Sequence, residues 1–188
     1  MIDREVQMAG TVLQSGGIIH YPTDTIWGIG CDARRAESVQ EIYRIKQRAD
    51  YKSMLVLVDG IPMLEKYLEK VPDQALKILE KASKPTTIIY PQAIDLAKNL
   101  LGPDGSIGIR ITSDPFCREL IRFTGFPIVS TSANISGEPS PASFHQISRA
   151  IREQVDHVVG WRQDEKTPSA PSSIIKLEQD GSVTTIRP

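Results

Sequence analysis

The sequence of 188 residues contains little cysteine and no long apolar run. Cys31 and Cys117 are too few for a disulfide scaffold, and their spacing matches no zinc-binding pattern. We therefore expect two buried free thiols in a reducing compartment. No apolar run approaches the roughly 20 residues that cross a bilayer, and residues 1–5 lack the apolar segment of a signal peptide. These absences predict a cytoplasmic protein without a membrane anchor.

Several signatures of common enzyme classes are also missing. The sequence has no Gly-x-x-x-x-Gly-Lys-Ser/Thr segment, which excludes an ordinary P-loop ATPase. Gly28-Ile29-Gly30 lacks the third glycine of a dinucleotide-binding fingerprint, and no Gly-x-Ser-x-Gly motif indicates a serine hydrolase. The three histidines, His20, His145 and His157, form no metal-ligand pattern. We therefore expect no metal ligands among the protein side chains.

Composition and periodicity predict one α/β domain. An apolar content of 40% and a charged content of 24% are typical of a packed globular chain, and no repeat or linker divides it. Predicted helices cover residues 3–15, 36–47, 62–68, 73–82, 94–101, 115–123 and 143–155. Predicted strands cover residues 18–21, 54–58, 86–90, 106–111, 127–129, 157–159, 173–177 and 183–186. Residues 23–33 and 163–171 are predicted loops.

Two polar runs far apart in the sequence indicate a site for a nucleotide and a small anionic substrate. Lys46-Gln47-Arg48 places two cations at the predicted end of a helix, where they suit phosphate or carboxylate. Ser130-Thr131-Ser132-Ala133-Asn134 follows an apolar strand and offers hydroxyl and amide donors. Tyr21-Pro22-Thr23 and Arg110 also lie at predicted strand ends, where ligands of open α/β sheets tend to bind. The alternative is that these residues are surface cations and turn formers.

The charge distribution leaves nucleic-acid binding open. The net charge is −1, so whole-molecule charge does not indicate such a partner, and any such activity must come from local clusters. Cations do cluster in residues 34–52, although a solvated helix face is the more common origin of such a run. The clustered cations are Arg34, Arg35, Arg44, Lys46, Arg48 and Lys52.

The chemistry that fits these residues is phosphoryl or nucleotidyl transfer, which needs charge neutralisation and positioning more than a strong base. Ser130, Ser132 and Asn134 would supply neutral donors. Arg110 lies inside Ile-Gly-x-Arg-Ile, where an unpaired buried guanidinium would be costly. The candidate cations are Lys46, Arg48, Lys52, Arg110 and Arg187.

Taken together, the motifs resemble those of the YrdC-like family from about residue 9 to the C-terminus. The resemblance is carried by Tyr21-Pro22-Thr23-Asp24-Thr25, Gly28-x-Gly30, Lys46-x-Arg48, Ile107-Gly108-x-Arg110, Ser132-Ala133-Asn134-x-Ser136-Gly137, Pro171-Ser172-Ser173-Ile174-Ile175 and Ile186-Arg187-Pro188. The family fold implies a single twisted mixed sheet with helices on both faces and a concave, positively lined face.

The resemblance implies the activity of a threonylcarbamoyl-adenylate synthase. Such enzymes join L-threonine, bicarbonate or CO2, and ATP, and they release pyrophosphate. Through a downstream transferase, the product would supply the threonylcarbamoyl group for adenosine 37 of tRNAs that read codons starting with A. Magnesium would accompany ATP, and no organic cofactor is implied.

The resemblance also implies roles for individual residues. Lys46 and Arg48 would be catalytic, and Lys46, Arg48 and Lys52 would face the triphosphate. Thr23, Arg110 and Ser130 would bind threonine, with Arg110 a natural partner for its carboxylate. The other nucleotide-binding residues would be Ser106, Ser132, Asn134, Ser140, Ser172 and Arg187. A threonine carbamate oxygen would then attack the α-phosphorus of ATP.

The sequence departs from the family pattern at several positions. Ala49 and Ser53 replace two prolines after Lys46-x-Arg48, and Leu57 replaces a histidine of many members. The end of the sequence at Pro188 predicts a short form without the additional C-terminal domain of longer members. Two alternatives therefore remain open: an RNA-binding module for double-stranded RNA or tRNA, and a related nucleotidyltransferase with a different substrate.

Overall fold

A computed structural model describes residues 2–48, 53–165 and 170–188. The α-helices are α1 (Ile2–Gln14), α2 (Ala36–Ile45), α3 (Ile61–Leu64), α4 (Asp73–Lys81), α5 (Pro115–Thr124) and α6 (Arg149–Arg152). Short 3-10 turns cover Lys98–Leu100 and Phe144–Gln146. The strands are β1 (Ile19–Tyr21), β2 (Gly28–Gly30), β3 (Leu55–Val58), β4 (Thr86–Tyr90), β5 (Ile107–Ile111), β6 (Ile128–Ser132), β7 (His157–Val158), β8 (Ser173–Leu177) and β9 (Val183–Arg187).

The strands form one mixed sheet in the order β7-β1-β2-β6-β3-β5-β4-β8-β9. The pairs β1–β7, β3–β5 and β4–β8 are parallel, and the others are antiparallel. This architecture confirms the predicted single-domain α/β fold. Among the described residues, no helix has the length and apolar character required to cross a membrane.

Helices α1 and α5 pack together and close one part of the core. Helix α5 begins where Asp114 accepts a hydrogen bond from the Cys117 amide at 2.9 Å, and Pro115 occupies its first turn. It ends at Gly125, whose φ of 78° is the left-handed conformation that glycine adopts without strain. Cys31 and Cys117 are both buried and free, as predicted.

The prediction of a continuous loop over residues 23–33 was wrong, because Gly28–Gly30 forms β2. This strand pairs with both β1 and β6. A Cβ atom at Gly30 would lie 2.4 Å from the Val129 carbonyl oxygen, so the close approach of β2 and β6 requires glycine there. An apolar pattern could not reveal a strand that consists mostly of glycine.

Two predicted boundaries also differ from the structure. Strand β6 continues through Ser132, so Ser130, Thr131 and Ser132 belong to the strand and not to a loop after it. Their backbones pair with β2 and β3. The single helix predicted over 143–155 is broken, because Ile147 is extended and Ser148 caps the separate helix α6.

Candidate active site

One face of the central sheet forms the floor of a cavity of about 260 Å³. Its lining includes alternate residues of β4 and β5, namely Thr87, Ile89, Gly108 and Arg110. Because side chains alternate along a strand, the residues between them point to the other face. Thr86 and Ile111 accordingly line a groove beside α4. The register of the strands therefore decides which residues meet in the cavity.

The cavity combines three guanidinium groups with many hydroxyls. Arg48, Arg110 and Arg187 line it, and the described lining residues include no carboxylate. The lining hydroxyl residues are Thr25, Ser53, Thr87, Ser130, Thr131, Ser132, Ser140 and Ser172. Apolar parts of the wall come from Ile26, Met54, Leu55, Ile89 and Ile174. This lining fits an anionic ligand that also carries an apolar or aromatic part.

Arg110 is held at the base of the cavity by the loop after β1. Its side chain is only 2% exposed, and one terminal nitrogen lies 2.9 Å from a carboxylate oxygen of Asp24. The same nitrogen donates to the Thr25 hydroxyl at 3.2 Å. The ion pair supplies the counter-charge that a buried guanidinium needs. Leu57, at the position where the family often has histidine, is fully buried and in register with Arg110.

Lys46 is buried behind the cavity and binds backbone, although we predicted a phosphate contact. Its ammonium donates to the carbonyls of Ser132 and Asn134, the latter at 2.7 Å. Burial and the nearby Arg48 guanidinium lower the pKa of Lys46 to about 7. The two carbonyl acceptors have the opposite effect, because they stabilise the protonated form of Lys46. In this structure Lys46 fixes the segment that follows β6.

Arg48 and Asn134 complete this side of the site. The Arg48 guanidinium donates to the Ser53 carbonyl at 2.8 Å, and burial lowers its pKa from the ordinary value. The Asn134 amide nitrogen donates to the Ile135 and Glu138 carbonyls, at 3.0 and 2.6 Å. Asn134 therefore shapes its own loop, while Arg48 faces the cavity.

The opposite wall is formed by β4, β8 and the end of β9. The Ser172 and Thr87 hydroxyls lie 2.8 Å apart, and the Arg187 Nε atom donates to the Ser172 carbonyl at 2.7 Å. Partial burial, with a contribution from Arg110, lowers the pKa of Arg187. Residues from the far end of the sequence thus line the same cavity as Arg110.

The cavity brings together seven of the sequence-predicted site residues: Arg48, Arg110, Ser130, Ser132, Ser140, Ser172 and Arg187. Thr23, Lys46, Ser106 and Asn134 are not among its lining residues. The Ser106 hydroxyl instead binds Asp104 at 2.5 Å, at the start of β5 and away from Arg110. Lys52 and Ala49 lie outside the described residues. The roles predicted for these residues in ligand binding stay predictions.

Sequence reasoning missed Asp24 and Thr25 as the partners of Arg110, and it missed Thr87 in the wall. The first two lie in the Tyr-Pro-Thr-Asp-Thr motif that we had recognised, and a buried arginine requires an acid nearby. The signal was therefore present for Asp24. Thr87 carried no signal, because only the pairing of β4 with β8 brings it to Ser172.

Comparison with known proteins identifies relatives over most of the chain. The Sua5/YciO/YrdC family model, described as telomere recombination, matches residues 11–188. A threonylcarbamoyl-AMP synthase of Pseudomonas aeruginosa (strain UCBPP-PA14) is 32% identical over 155 residues, which cover 82% of this chain and 83% of that protein. One from Xanthomonas campestris pv. campestris (strain B100) is 30% identical over 158 residues, with 82% and 84% coverage.

Solved structures show the same fold. YciO of E. coli matches with a TM-score of 0.84 at 24% identity, covering 98% of this chain and 88% of that one. Sua5 of P. abyssi, solved in complex with L-threonine, matches with a TM-score of 0.85 at 22% identity. The match covers 97% of this chain and 53% of that one, so the chain spans about half the length of Sua5. From the family model and the synthase relatives together, the chain belongs to the Sua5/YciO/YrdC family.

Proposed function

We propose that this protein is a threonylcarbamoyl-AMP synthase. The observation that carries the proposal is one cavity in which Arg48, Arg110 and Arg187 converge among hydroxyls, in a chain about 30% identical to proteins of that name. The substrates would be L-threonine, bicarbonate or CO2, and ATP. A threonine-bound structure of the related Sua5 supports the amino-acid substrate.

In this proposal Arg110 binds the carboxylate of threonine. Its guanidinium is fixed by Asp24, and the Ser130 hydroxyl lies in the same lining. A guanidinium binds a carboxylate through charge-assisted hydrogen bonds of defined geometry. Thr23 would act through the conformation of its loop, because its hydroxyl donates to the Ile26 carbonyl and accepts from the Thr25 amide.

The nucleotide would lie between the Arg48 side and the Arg187 side of the cavity. Arg48 and Arg187 would meet the phosphates, with Ser132, Ser140 and Ser172 as neutral donors. Lys46 and Asn134 would support this subsite by shaping the segment after β6. Ser106 is a weaker candidate because its hydroxyl is engaged by Asp104. Lys52, predicted to face the triphosphate, lies outside the described residues.

The chemistry would depend on positioning and charge. The neutral threonine amine adds to CO2 and releases one proton to solvent, which leaves a carbamate anion. A carbamate oxygen then attacks the α-phosphorus. The bond from that phosphorus to the bridging oxygen breaks, and pyrophosphate leaves with the electron pair. Arginines in a partly enclosed cavity stabilise the charge that develops on the phosphoryl oxygens. The attack on phosphorus needs no side-chain base, because the carbamate is already an anion.

Magnesium would arrive with ATP. The described lining residues offer hydroxyls and guanidinium groups but no carboxylate, so the triphosphate itself would hold the ion. The ion would neutralise phosphate charge during transfer. We further propose that the product passes to a separate transferase, which modifies adenosine 37 of tRNA.

The decisive experiment follows pyrophosphate release from ATP and magnesium with bicarbonate, with and without L-threonine. Mass spectrometry of the same reactions would detect threonylcarbamoyl-AMP. We expect both signals to require threonine and bicarbonate. Binding of ATP without any response to threonine would exclude the synthase and support a nucleotidyltransferase for another amine. Leu57 beside Arg110 is the feature that favours this alternative.

A second candidate function is RNA binding, which a groove on the opposite face of the sheet favours. Lys77, Lys81 and Lys84 line it together with Arg187, in a volume of about 450 Å³. Its described lining residues include no acid. A phosphate backbone bound there would show affinity that falls steeply with salt. Loss of salt-dependent RNA binding in a Lys77→Gln/Lys81→Gln/Lys84→Gln variant would support this candidate, and absence of ATP binding would place it first.

A further inference from the structure

The loop after β1 and the end of β5 are joined through one carboxylate, that of Asp24. Its Oδ1 atom lies 2.9 Å from Arg110, and its side chain is only 7% exposed. Its Oδ2 atom accepts from the Thr112 hydroxyl at 3.3 Å and from the Ser113 amide at 3.2 Å. Asp24 thus contacts the guanidinium and the backbone just beyond the strand that carries it.

This arrangement restricts where the Arg110 guanidinium can lie. An arginine side chain is long and has many rotamers, so a fixed position has to be imposed by its partners. Asp24 and Thr25 both engage the same terminal nitrogen of Arg110. The Nε atom of Arg110 is buried and has no hydrogen-bond partner among the described residues. Asp24 therefore contacts one terminal nitrogen of the guanidinium, and the Nε group remains available to donate to a ligand.

The loop that carries Asp24 is itself fixed from the opposite side. Arg162 donates to the Thr23 carbonyl at 3.3 Å and forms a 2.6 Å ion pair with Asp114, the residue that caps α5. The loop is consequently attached both to the end of β5 and to the start of α5. A carboxylate held this rigidly can determine the orientation of its partner.

We propose that Asp24 is a positioning residue that sets the affinity of the site for the amino-acid carboxylate through Arg110. It touches neither substrate and transfers no proton. It aligns the guanidinium and keeps it desolvated at the base of the cavity, so that little ordering remains to be done when the carboxylate binds. The identity of the ligand rests on the proposed function, but the action of Asp24 on Arg110 does not.

The test compares Asp24→Asn, Arg110→Gln and the double variant in steady-state kinetics and in calorimetric binding of L-threonine. We expect Asp24→Asn to raise the KM for threonine by about 10- to 100-fold, the effect expected if the misaligned Arg110 makes one charge-assisted hydrogen bond fewer to the carboxylate of threonine. The KM for ATP should change by less than about twofold, as for an independent subsite. In the Arg110→Gln background, Asp24→Asn should add no further loss.

The control is Asp59→Asn, at an aspartate that pairs with Arg122 at 3.5 Å and does not line the cavity. Asp24→Asn leaves the buried charge of Arg110 without its counter-charge, which could destabilise the fold. Asp24→Glu is therefore a second variant, which keeps the negative charge but moves the carboxylate. It should fold and still raise the KM for threonine. Additive losses in the double variant, or equal losses for both substrates, would overturn the proposal.

A spectroscopic measurement separates this proposal from the proposed function. The ¹⁵N–¹H signal of the Arg110 Nε group, assigned by its loss in Arg110→Gln, reports the order of the guanidinium. We expect Asp24→Asn to shift or broaden it, while Asp59→Asn leaves it unchanged. If the wild-type protein makes no threonine-dependent product but the signal responds, only the proposed function fails. An unchanged signal in Asp24→Asn contradicts the positioning role.

Discussion

The buried ammonium of Lys46 should make the stability of this protein depend on pH in the neutral to alkaline range. Its side chain is 1% exposed and donates to the Ser132 and Asn134 carbonyls. The perturbation is Lys46→Met, which keeps the length of the side chain but removes its charge. The variant leaves two carbonyls without this donor, at a cost of about 1–3 kcal/mol for each group that stays buried and unbonded.

The magnitude follows from the pKa of Lys46, which burial and the charge of Arg48 lower from 10.5 to about 7. Between these values the unfolded chain binds one proton more than the folded protein, so the free energy of unfolding rises with pH. The slope approaches about 1.4 kcal/mol per pH unit. From pH 7.5 to 9.5 the wild type should gain about 2 kcal/mol relative to Lys46→Met.

The assay is urea denaturation of the wild type and Lys46→Met at closely spaced pH values over this range. Lys81→Met, at an exposed lysine of α4, controls for the loss of one lysine. Of the two substitutions, only Lys46→Met should reduce the increase in the free energy of unfolding with pH. A difference between the wild type and Lys46→Met that stays constant from pH 7.5 to 9.5 would refute the reasoning. The two carbonyl acceptors would then outweigh desolvation and keep the amine charged throughout.

Three further outcomes are expected. Arg48→Ala should abolish formation of threonylcarbamoyl-AMP while circular dichroism shows an intact fold, and full activity would remove Arg48 from the proposed site. Arg110→Ala should raise the threonine requirement more than the ATP requirement in steady-state kinetics, whereas the reverse order would mean that its ligand is wrongly assigned. His20, fully buried, has a pKa lowered by desolvation from 6.5 to about 4, so the unfolded chain protonates first and stability should fall as pH drops through this interval. Over this interval the free energy of unfolding of His20→Asn, measured by denaturation, should fall by about 3 kcal/mol less than that of the wild type. An equal fall in both proteins would contradict this prediction.

Apolar patterning was sufficient to predict much of the fold. The continuous run at Leu55–Val58 is a central strand, and Pro115 correctly marks the first turn of α5. Strand β2 escaped prediction because its glycines carry no β propensity, and at Gly30 the close backbone contact with Val129 selects glycine instead. Tertiary contact, and not local preference, decides such a segment.

The candidate site was predictable as a set of segments but not as a set of contacts. The motifs that contain Arg48, Arg110 and Ser130 do converge on one cavity. Lys46 lies only two residues from Arg48, yet it faces the backbone of the segment after β6. That difference depends on the end of α2 and the position of β6, which no local pattern in the sequence specifies.

Thr23 and Thr25 show the same limit within a single motif. Two hydroxyls of equal chemistry lie two residues apart, and the resemblance pointed to Thr23. In the structure the Thr23 hydroxyl donates to the Ile26 carbonyl and accepts from the Thr25 amide, so the turn uses it. The Thr25 hydroxyl meets Arg110 and lines the cavity. A loop that must aim Asp24 and Thr25 at one guanidinium needs an internal bond to hold its shape, and Thr23 provides it. The motif therefore specifies the shape of a loop through Thr23 and the contacts to Arg110 through Asp24 and Thr25.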